Sequence, residues 1–442
     1  MATAAFTASL GHPSEIYALL KYKLTTSDAV TKYTTLESIT AKKDSPEYSY
    51  QMCYYFLNKT SRSFARVIQE LHPELCHPVC IFYLTLRGLD TIEDDMTLDN
   101  KVKLPLLRGF DKIMYKKGWT FKESGPNEKD RILLVDYDVV ITEFLKLKPK
   151  YQVVIANIAK RMGNGMADFC EGKKVKTVAD YDLYCHYVAG LVGIGLTGLF
   201  SESGLESASL TESEYLQNRM GLFLQKVNII KDYLEDWKDG RSFWPEEIWG
   251  KYVWENAGLG SLSKPENIND ALACLNELCV NVLKLAPDCL EYMAKLKEPS
   301  VLHFCAIPQV MAIASIALFF NNNVVFTKGG LKIRRGLAVK LIYEATTFDG
   351  VKEVFKKYAL DIARQNSLRV GKNPKDESFM PISEACSDIV RWINKHDVVA
   401  GTNKKKERER QEFIAMIVMA LVGAITSFCM IQFFKWVKTW EA

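Results

Sequence analysis

The sequence lacks both the cysteine arrangement of a secreted protein and the charge imbalance of a nucleic-acid-binding protein. Its 11 cysteines are scattered over 442 residues, their number is odd, and no CxxC pair occurs. A disulfide framework is therefore not expected, and a reducing compartment is favoured. The 57 basic and 53 acidic residues leave a net charge of only +4, which argues against a nucleic-acid partner.

Other familiar signals are absent as well. Residues 1–12 have neither the basic start nor the hydrophobic run of a signal peptide. No repeat of fixed period, βαβ pattern or EF-hand loop is found. The spacing of His72, Cys76, His77 and Cys80 fits no zinc pattern, so this stretch is interpreted as a helix junction with buried thiols.

Apolar residues recur with the 3.6-residue period of α-helices through most of the chain. The predicted helices are 60–71, 79–91, 151–169, 181–200, 215–237, 268–296 and 301–320. Prolines and glycines lie between them. We predict an all-α fold in which one large helical domain, residues 45–370, carries catalysis and residues 1–44 form an N-terminal segment.

The last apolar run of the sequence is long enough to span a membrane. Residues 413–434 read FIAMIVMALVGAITSFCMIQFF and carry no charge, and a spanning helix needs about 20 such residues. Five basic residues precede the run closely and two follow it, which favours a catalytic domain on the cytosolic side. We predict a polar linker at 371–412, a transmembrane anchor at 413–434 and a short tail at 435–442.

The first of two acidic clusters follows the apolar stretch YLTLRGLD and contains Asp90, Glu93 and Asp94. Residues four apart share one face of a helix, so the carboxylates of Asp90 and Asp94 are neighbours that repel each other. A divalent cation removes this repulsion, and Mg²⁺ prefers carboxylate oxygens together with substrate phosphates. Tyr83 and Arg87 share the same face by their spacing. A salt bridge from Arg87 to the cluster is compatible with this role.

The second cluster repeats the DxxED pattern with Asp232, Glu235 and Asp236. Gln225 and Asn228 extend it into a polar line along an otherwise apolar helix, which should be buried. Carboxylates on a buried helix need partners. The alternative, two solvent-exposed helices that happen to carry acidic pairs, does not account for the apolar surroundings of both clusters.

Two metal-binding clusters suit the ionisation of an allylic diphosphate. Pyrophosphate leaves only when its developing charge is neutralised, and metal ions held by opposed acidic helices provide this. The carbocation that remains requires a dry, apolar, aromatic-lined cavity. The clusters therefore predict a Mg²⁺-dependent enzyme that acts on prenyl diphosphates.

Six segments resemble the squalene synthases of the squalene/phytoene synthase family. They are SRSF (61–64), YLTLRGLDTIEDDM (83–96), YCHYVAGLVGIGL (184–196), GLFLQKVNIIKDYLEDW (221–237), FWPEEIW (243–249) and FCAIPQVMAIA (304–314). The similarity extends from about residue 45 to residue 345. It implies a single helical domain of the isoprenoid-synthase type. Lys231 stands where the family pattern leads us to expect Arg, which keeps the charge but loses bidentate geometry.

The resemblance implies that two farnesyl diphosphates condense head-to-head to presqualene diphosphate. A reductive rearrangement that uses NADPH then gives squalene, the first committed step of sterol biosynthesis. The implied metal ligands are Asp90, Glu93, Asp94, Asp232, Glu235 and Asp236. The implied catalytic residues are Tyr184, Tyr83, Phe304 and Gln309. The implied substrate-binding residues are Ser61, Arg62, Phe64, Arg87, Gln225 and Asn228.

NADPH has no Rossmann fingerprint to bind, because GLVGIG at 190–195 follows no strand. These glycines instead predict the close approach of a prenyl chain or another helix. The basic loop 328–336 offers Lys328, Lys332, Arg334 and Arg335 to the cofactor's phosphates. Its alternative is a solvated basic turn. Taken alone, Tyr83 and Tyr184 are equally compatible with ordinary core aromatics.

The resemblance further implies an endoplasmic reticulum membrane enzyme with a monomeric catalytic domain that faces the cytosol. Two other functions stay open. One is a phytoene-type synthase that stops without reduction, which dependence on NADPH would distinguish. The other is a non-enzymatic tail-anchored adaptor, which Mg²⁺-dependent release of pyrophosphate would exclude.

Overall fold

The computed structural model describes residues 9, 11–25, 36–40, 43–254, 257–369 and 375–400. Over these ranges the chain contains helices, turns and loops and no β-strand, which confirms the predicted fold class. The chain divides into one compact unit that ends at Ile389 and a second unit that begins at Val390. All of the site described below lies in the first unit.

The helices are short and numerous, and we number them along the chain. They are α1 (Pro13–Thr25), α2 (Leu36–Thr40), α3 (Tyr48–Thr60), α4 (Arg62–Gln69), α5 (Pro73–Asp94), α6 (Asn100–Ile113), α7 (Arg131–Val135), α8 (Asp138–Lys146), α9 (Pro149–Cys170), α10 (Val178–Cys185), α11 (Leu191–Ser203), α12 (Tyr215–Lys231), α13 (Tyr233–Lys238), α14 (Glu246–Trp249), α15 (Ile268–Leu283), α16 (Ala286–Met293), α17 (Pro299–Phe319), α18 (Val324–Thr327), α19 (Arg335–Glu344), α20 (Phe348–Ser367) and α21 (Phe379–Ala400).

Local chemistry explains where the main helices begin. Pro73 opens α5, where its missing N–H is not needed, and the His72 side chain accepts a hydrogen bond from the backbone N–H of Glu74. Thr177 and Asp180 form a reciprocal capping box at the start of α10. Helices α5 and α10 both carry residues of the candidate active site, so these caps help to fix the positions of its side chains.

The core forms where the longest apolar helices cross. Helix α9 packs against α5, α6 and α11, while α12 packs against α11, α16 and α17. Phe82, Ile155, Phe223 and Val310 from four of these helices are completely or almost completely buried. Burial of each such side chain contributes about 1.5–3 kcal/mol. This interior holds the helices that carry the two acidic clusters.

Glycines allow two of the central helices to approach closely. A Cβ at Gly193 would lie 2.3 Å from the carbonyl oxygen of Gln217, and one at Gly221 would lie 2.2 Å from that of Ala189. These distances are far below van der Waals contact, so only glycine fits at both positions. The predicted use of the glycine-rich segment for the approach of another helix is confirmed.

Three predicted helices are interrupted. The predicted helix 215–237 divides into α12 and α13 at Asp232 (φ −94°, ψ 8°). The predicted helix 268–296 divides before α16, whose first turn contains proline. The predicted helix 181–200 contains a π-helical turn, His186–Gly190. The 3.6-residue period survives all three interruptions, which is why the sequence alone did not reveal them.

The polar linker predicted at 371–412 is wrong over part of its length. Residues Phe379–Ala400 form helix α21. Ile382, Ala385, Cys386 and Ile389 lie at helical spacing and are buried. A few apolar side chains on one stripe are enough to fold a segment whose overall composition is polar. The rest of that linker that falls in 371–374 and 401–412 lies outside the described residues.

The predicted anchor, 413–434, and the tail, 435–442, also lie outside the described residues. Within the described part, Val178–Ser203 and Pro299–Phe319 are long and apolar enough to cross a bilayer by length and composition alone. Both pack inside the helical domain, so we interpret them as core helices.

Candidate active site

The first acidic cluster occupies the C-terminal end of α5. Asp90 and Glu93 are half-buried, Asp94 is exposed, and Asp95 caps the helix. Burial of Asp95 would raise its pKa, but hydrogen bonds from Thr97 and from the backbone N–H of Gly125 lower it. Asp95 therefore holds the following loop, while the three predicted metal ligands stay available.

Asp90 and Glu93 are poorly compensated as anions. Loss of water around Asp90, with a contribution from Asp94 and against the opposing effect of Arg87, raises the pKa of Asp90 to about 7. Burial, together with the charges of Asp90 and Asp94, raises the pKa of Glu93 to about 8. Carboxylates that resist ionisation this strongly have room for additional positive charge.

Arg87 links the cluster to its surroundings, as the shared helical face predicted. Its Nη1 lies 3.6 Å from a carboxylate oxygen of Asp90, and its Nη2 donates a 3.4 Å hydrogen bond to the hydroxyl of Tyr83. Its Nε lies 3.7 Å from Asp130, a residue that sequence reasoning missed. Asp130 is remote in sequence, and no pattern around it indicated a role.

The second cluster lies where α12 gives way to α13. Lys231 Nζ lies 3.2 Å from the carboxylate of Asp232 and also donates to Asn228 Oδ1 at 3.2 Å. Burial raises the pKa of Asp232, while Lys231 opposes the shift. Burial raises the pKa of Asp236 to about 6, against the effect of Arg241. Glu235 is exposed beside them.

Arg241 joins the two clusters and was not predicted. Its Nη1 donates to Asp94 of the first cluster at 2.9 Å, and its Nη2 lies 3.1 Å from Asp236 of the second. The same guanidinium lies 3.7 Å from Asp239. One side chain thus contacts both helices, which shows that the clusters face each other across a narrow gap. The only hint in the sequence was a basic residue shortly after the second cluster.

Tyr184 lies beside this gap, on α10. It is buried, stacks on Phe243 at a ring-centroid distance of 4.6 Å and meets the edge of Phe169 at 5.0 Å. Burial, and then the charges of Glu93 and Asp94, raise the pKa of Tyr184 well above its ordinary value, whereas Arg241 opposes the shift. The π-helical turn begins two residues later, and such turns are frequent at functional sites.

Two adjoining apolar cavities, of about 320 and 160 Å³, lie between α4, α12 and α17. Both are lined by Phe64 and Phe304, and the larger one also by Asn228. Gln309 lines the smaller cavity, where its Nε2 donates to the carbonyl oxygen of Met220 at 3.0 Å. The Oε1 atom of Gln309 is buried and has no protein partner among the described residues.

Three further residues were predicted to bind the substrate. Ser61 caps α4 by accepting a hydrogen bond from the backbone N–H of Phe64 at 3.3 Å. Arg62 begins that helix, but its side chain lies outside the described residues. Gln225 is half-buried on α12 and is not among the residues that line the two cavities.

The basic loop 328–336 lies against the second cluster. Gly329 and Gly330 adopt positive φ angles of 64° and 60° and pass close to Leu234 and Glu235. The charge of Lys332 opposes the burial-driven rise in the pKa of Asp232, and Lys328, Lys332 and Arg335 are exposed. Arg334 differs from them, because its guanidinium is bound to Glu15 at 2.7 Å.

The residues present fit a divalent cation, but the protein alone does not supply a complete coordination shell. Among the described residues, no three His, Cys, Asp or Glu side chains converge as closely as one metal ion requires. Instead the cationic Arg241 bridges Asp94 and Asp236, and Asp90, Glu93 and Asp232 have raised pKa values. Oxygen ligands from opposed helices leave coordination positions for substrate phosphates, which is how Mg²⁺ is usually held.

The chain is similar to known proteins over most of its length. The family model described as squalene/phytoene synthase matches residues 57–335. The squalene synthase of Schizosaccharomyces pombe is 48% identical over 381 residues, which are 85% of this chain and 79% of that protein. The human squalene synthase is 49% identical over 357 residues, covering 81% of this chain and 82% of that protein. A solved structure of TcSQS with the ligand E5700 is 41% identical, with a TM-score of 0.74, and covers 79% of this chain and 99% of that one.

An all-helical domain whose two DxxED clusters face each other beside an apolar cavity defines an enzyme of the isoprenoid-synthase type. The chain belongs to the squalene/phytoene synthase family, as an enzyme of the squalene synthase kind. The matched range spans the positions of both acidic clusters, and helices α1 and α2 precede it.

Proposed function

We propose that this enzyme condenses two farnesyl diphosphates head-to-head to presqualene diphosphate and then converts this intermediate to squalene with NADPH. The single observation that carries the proposal is the contact of Arg241 with both Asp94 and Asp236. It supports one cleft lined by carboxylates on two sides, which the ionisation of a diphosphate requires. Squalene synthesis commits a prenyl precursor to sterols, so we assign the enzyme to sterol biosynthesis.

The diphosphate groups would bind between the clusters. When bound there, Mg²⁺ supplies positive charge that stabilises the departing pyrophosphate. The ligands we assign to it are Asp90, Glu93, Asp94, Asp232, Glu235 and Asp236. Arg87 lies at the edge of the first cluster and would donate to a diphosphate oxygen. Ser61 and Arg62, at the start of α4, would bind the same group from a helix N-terminus.

Tyr184 would move the proton in the first half of the reaction. Closing the cyclopropane ring of presqualene diphosphate requires the loss of a proton from a carbon next to a cation. Tyr184 is a buried phenol on which the charges of Glu93, Asp94 and Arg241 act, and Phe169 and Phe243 hold its ring. Its raised pKa keeps the phenol protonated until pyrophosphate or a neighbouring anion shares the proton. Tyr83, which is hydrogen-bonded to Arg87, is the second candidate.

The second half of the reaction would take place in the apolar cavities. Phe64 and Phe304 line both of them and offer aromatic faces to a cation. The buried, unpartnered Oε1 of Gln309 would face the same space. NADPH, when bound, supplies the hydride that ends the rearrangement. Lys328, Lys332 and Arg335 are its proposed phosphate ligands, because they are exposed on a loop beside the second cluster.

We further propose that residues 413–434 anchor the enzyme in the endoplasmic reticulum membrane with a monomeric catalytic domain in the cytosol, and that no nucleic acid binds. The uncharged run and the basic residues before it support this orientation. Protection of the catalytic domain from protease in intact microsomes would contradict it.

Product analysis tests the proposed reaction most directly. The full-length protein is incubated with farnesyl diphosphate and Mg²⁺, with or without NADPH. We expect squalene with NADPH, and presqualene diphosphate or unreduced C30 products without it. Identical products under both conditions would favour a phytoene-type synthase, and no release of pyrophosphate under either would refute the enzyme assignment. Asp94→Asn serves as the inactive control.

A further inference from the structure

Helix α1 lies outside the segment that the family model matches, yet it packs against α19 in the same compact unit. Glu15, Ala18 and Tyr22 lie at helical spacing and form its inner face. Glu15 and Ala18 are buried, and Tyr22 is half-buried. One side of this short helix is therefore bound to the catalytic domain.

An ion pair between the buried carboxylate of Glu15 and the exposed Arg334 holds α1 in place. The carboxylate of Glu15 accepts hydrogen bonds from Nη2 and Nε of Arg334 at 2.7 and 3.2 Å, and from the hydroxyl of Ser9 at 3.1 Å. The Glu15 side chain is only 4% exposed. Burial alone would raise the pKa of Glu15, but the bonds from Arg334 and Ser9 hold it below its usual value. Two nitrogens of the Arg334 guanidinium bond to Glu15, so Arg334 holds α1 against the catalytic domain.

Gly336 allows α1 to pack closely against α19. A Cβ at this position would lie 2.4 Å from the hydroxyl oxygen of Ser9 and 2.9 Å from Cβ of Glu15. Any side chain at Gly336 would push α1 away from α19. The glycine thus has a packing role at the contact between the two helices.

At its other end α1 reaches the larger apolar cavity. Tyr22 lines this cavity together with Phe304, Leu224 and Met311, which come from two core helices. The guanidinium of Arg66 lies 4.5 Å from the centre of the Tyr22 ring. Arg66 also donates to Glu70 at 2.7 Å, which fixes the position of its guanidinium. This guanidinium and the Tyr22 ring together close the polar edge of the cavity.

We propose that α1 is a lid on this cavity and that Tyr22 is the residue with which it excludes water from the bound C30 cation. The proposal rests on the proposed function and adds a specificity-determining residue to it. A carbocation that meets water forms a C–O bond, and the oxygen then releases a proton to solvent. The product is an alcohol instead of a hydrocarbon, and this capture by water needs neither an oxidant nor a reductant. Exclusion of water is therefore decisive for the outcome.

The test measures how products partition between the two outcomes. The full-length protein is incubated with farnesyl diphosphate, Mg²⁺ and saturating NADPH in water enriched in oxygen-18. Tyr22→Ala, Glu15→Ala and Gly336→Ala should each raise the ratio of labelled C30 alcohols to squalene by about tenfold, because each displaces or removes the ring that keeps water out of the cavity. Tyr22→Phe, which keeps the ring, should stay near the wild-type ratio.

Gly109→Ala is the matched control for Gly336→Ala. Gly109 also lies inside a helix, but a Cβ there would meet nothing within 4 Å. This variant should keep the wild-type ratio and turnover. An unchanged ratio in Tyr22→Ala and Gly336→Ala, with total turnover intact, would overturn the lid proposal. Formation of neither squalene nor alcohol by the wild type would instead refute the proposed function.

A measurement without turnover tests the lid independently. Amide hydrogen exchange of residues 13–25 is followed with and without a non-ionising analogue, farnesyl thiodiphosphate, in the presence of Mg²⁺. Exchange in α1 should slow when the analogue fills the cavity, and Gly336→Ala should remove this protection. Equal exchange with and without the analogue in the wild type would contradict the proposal.

Discussion

The two acidic clusters share the pattern DxxED, but the structure places them in different settings. The first lies at the end of an uninterrupted 22-residue helix, and the second begins at the helix break at Asp232. Asp90 has a pKa raised to about 7, whereas that of Asp236 is raised only to about 6. Arg87 is the basic neighbour of Asp90, and Lys103 and Arg241 oppose the rise in the pKa of Glu93. Lys231, Lys332 and Arg241 act on the second cluster.

This difference shows that the DxxED pattern specifies which carboxylates are present, whereas their surroundings set how readily each one ionises. The first cluster has the larger pKa shifts and should depend more on a bound metal ion. In the second cluster the shift of Asp236 is smaller, so this cluster should depend more on the side chains that supply its cations. The following predictions would break or sharpen this contrast.

Loss of a carboxylate from either cluster should have the largest effect. Asp94→Asn and Asp236→Asn should each lower kcat by about 10⁴-fold, because several kcal/mol of charge stabilisation by a metal ion are lost. The fold should be preserved, since repulsion within each cluster decreases. Single-turnover release of pyrophosphate at limiting Mg²⁺ measures this. Normal activity in one variant would remove the metal assignment of that cluster alone.

Tyr184→Phe tests the buried phenol on which Glu93, Asp94 and Arg241 act. If the phenol transfers the proton, kcat should fall by about 10²–10⁴-fold with a smaller change in KM. Formation of presqualene diphosphate should stop, while the protein should melt at nearly the wild-type temperature. Retention of more than about a tenth of the wild-type rate, well outside that range, would make Tyr184 a packing aromatic. Tyr83→Phe would then be examined first.

Arg241 should matter in proportion to its charge and its fork geometry. Arg241→Gln should reduce turnover by about 10²-fold, as expected for one lost donor to developing negative charge. Arg241→Lys should recover part of this loss, because it keeps the charge but contacts only one cluster at a time. Added Mg²⁺ should raise the melting temperature of Arg241→Gln more than that of the wild type. An equal shift in both proteins would show that the guanidinium does not stand in for a cation.

The basic loop should affect only the reductive half of the reaction. Lys328→Ala combined with Arg335→Ala should raise KM for NADPH by about tenfold, through lost charge-assisted bonds to phosphate. Formation of presqualene diphosphate should be unchanged. Lys101→Ala, a change of an exposed lysine at the start of α6, is the control. If steady-state kinetics give the same KM in all three proteins, the loop is a solvated turn.

The smallest effect concerns stability in the absence of divalent cations. Asp90 and Asp236 titrate higher in the folded protein than the unfolded value of about 4, so between that pH and their folded pKa values of about 7 and 6 the native state holds more protons. Their contribution to stability therefore falls as pH rises through this window. At pH 8, Asp90→Asn should raise the free energy of unfolding by about 1–2 kcal/mol, and Asp236→Asn by less. Chemical denaturation in chelator at pH 5 and pH 8 measures this, and a larger gain from Asp236→Asn would reverse the contrast.

The sequence by itself determined the helical class, both acidic clusters and the shared face of Tyr83, Arg87, Asp90 and Asp94. It could do so because helical periodicity and i, i+4 spacing are local properties that each segment carries alone. The break at Asp232 and the π-helical turn escaped, because neither disturbs the apolar period that marks a helix.

Only the tertiary structure decided which distant groups meet. Arg241 reaches Asp94 across 147 positions of sequence, and Arg334 reaches Glu15 across 319. A lone arginine in a sequence carries no mark of its partner, since a guanidinium pairs with any carboxylate that folding brings near. The same limit hid helix α21 within a polar segment, where burial of a few side chains against the domain outweighed composition.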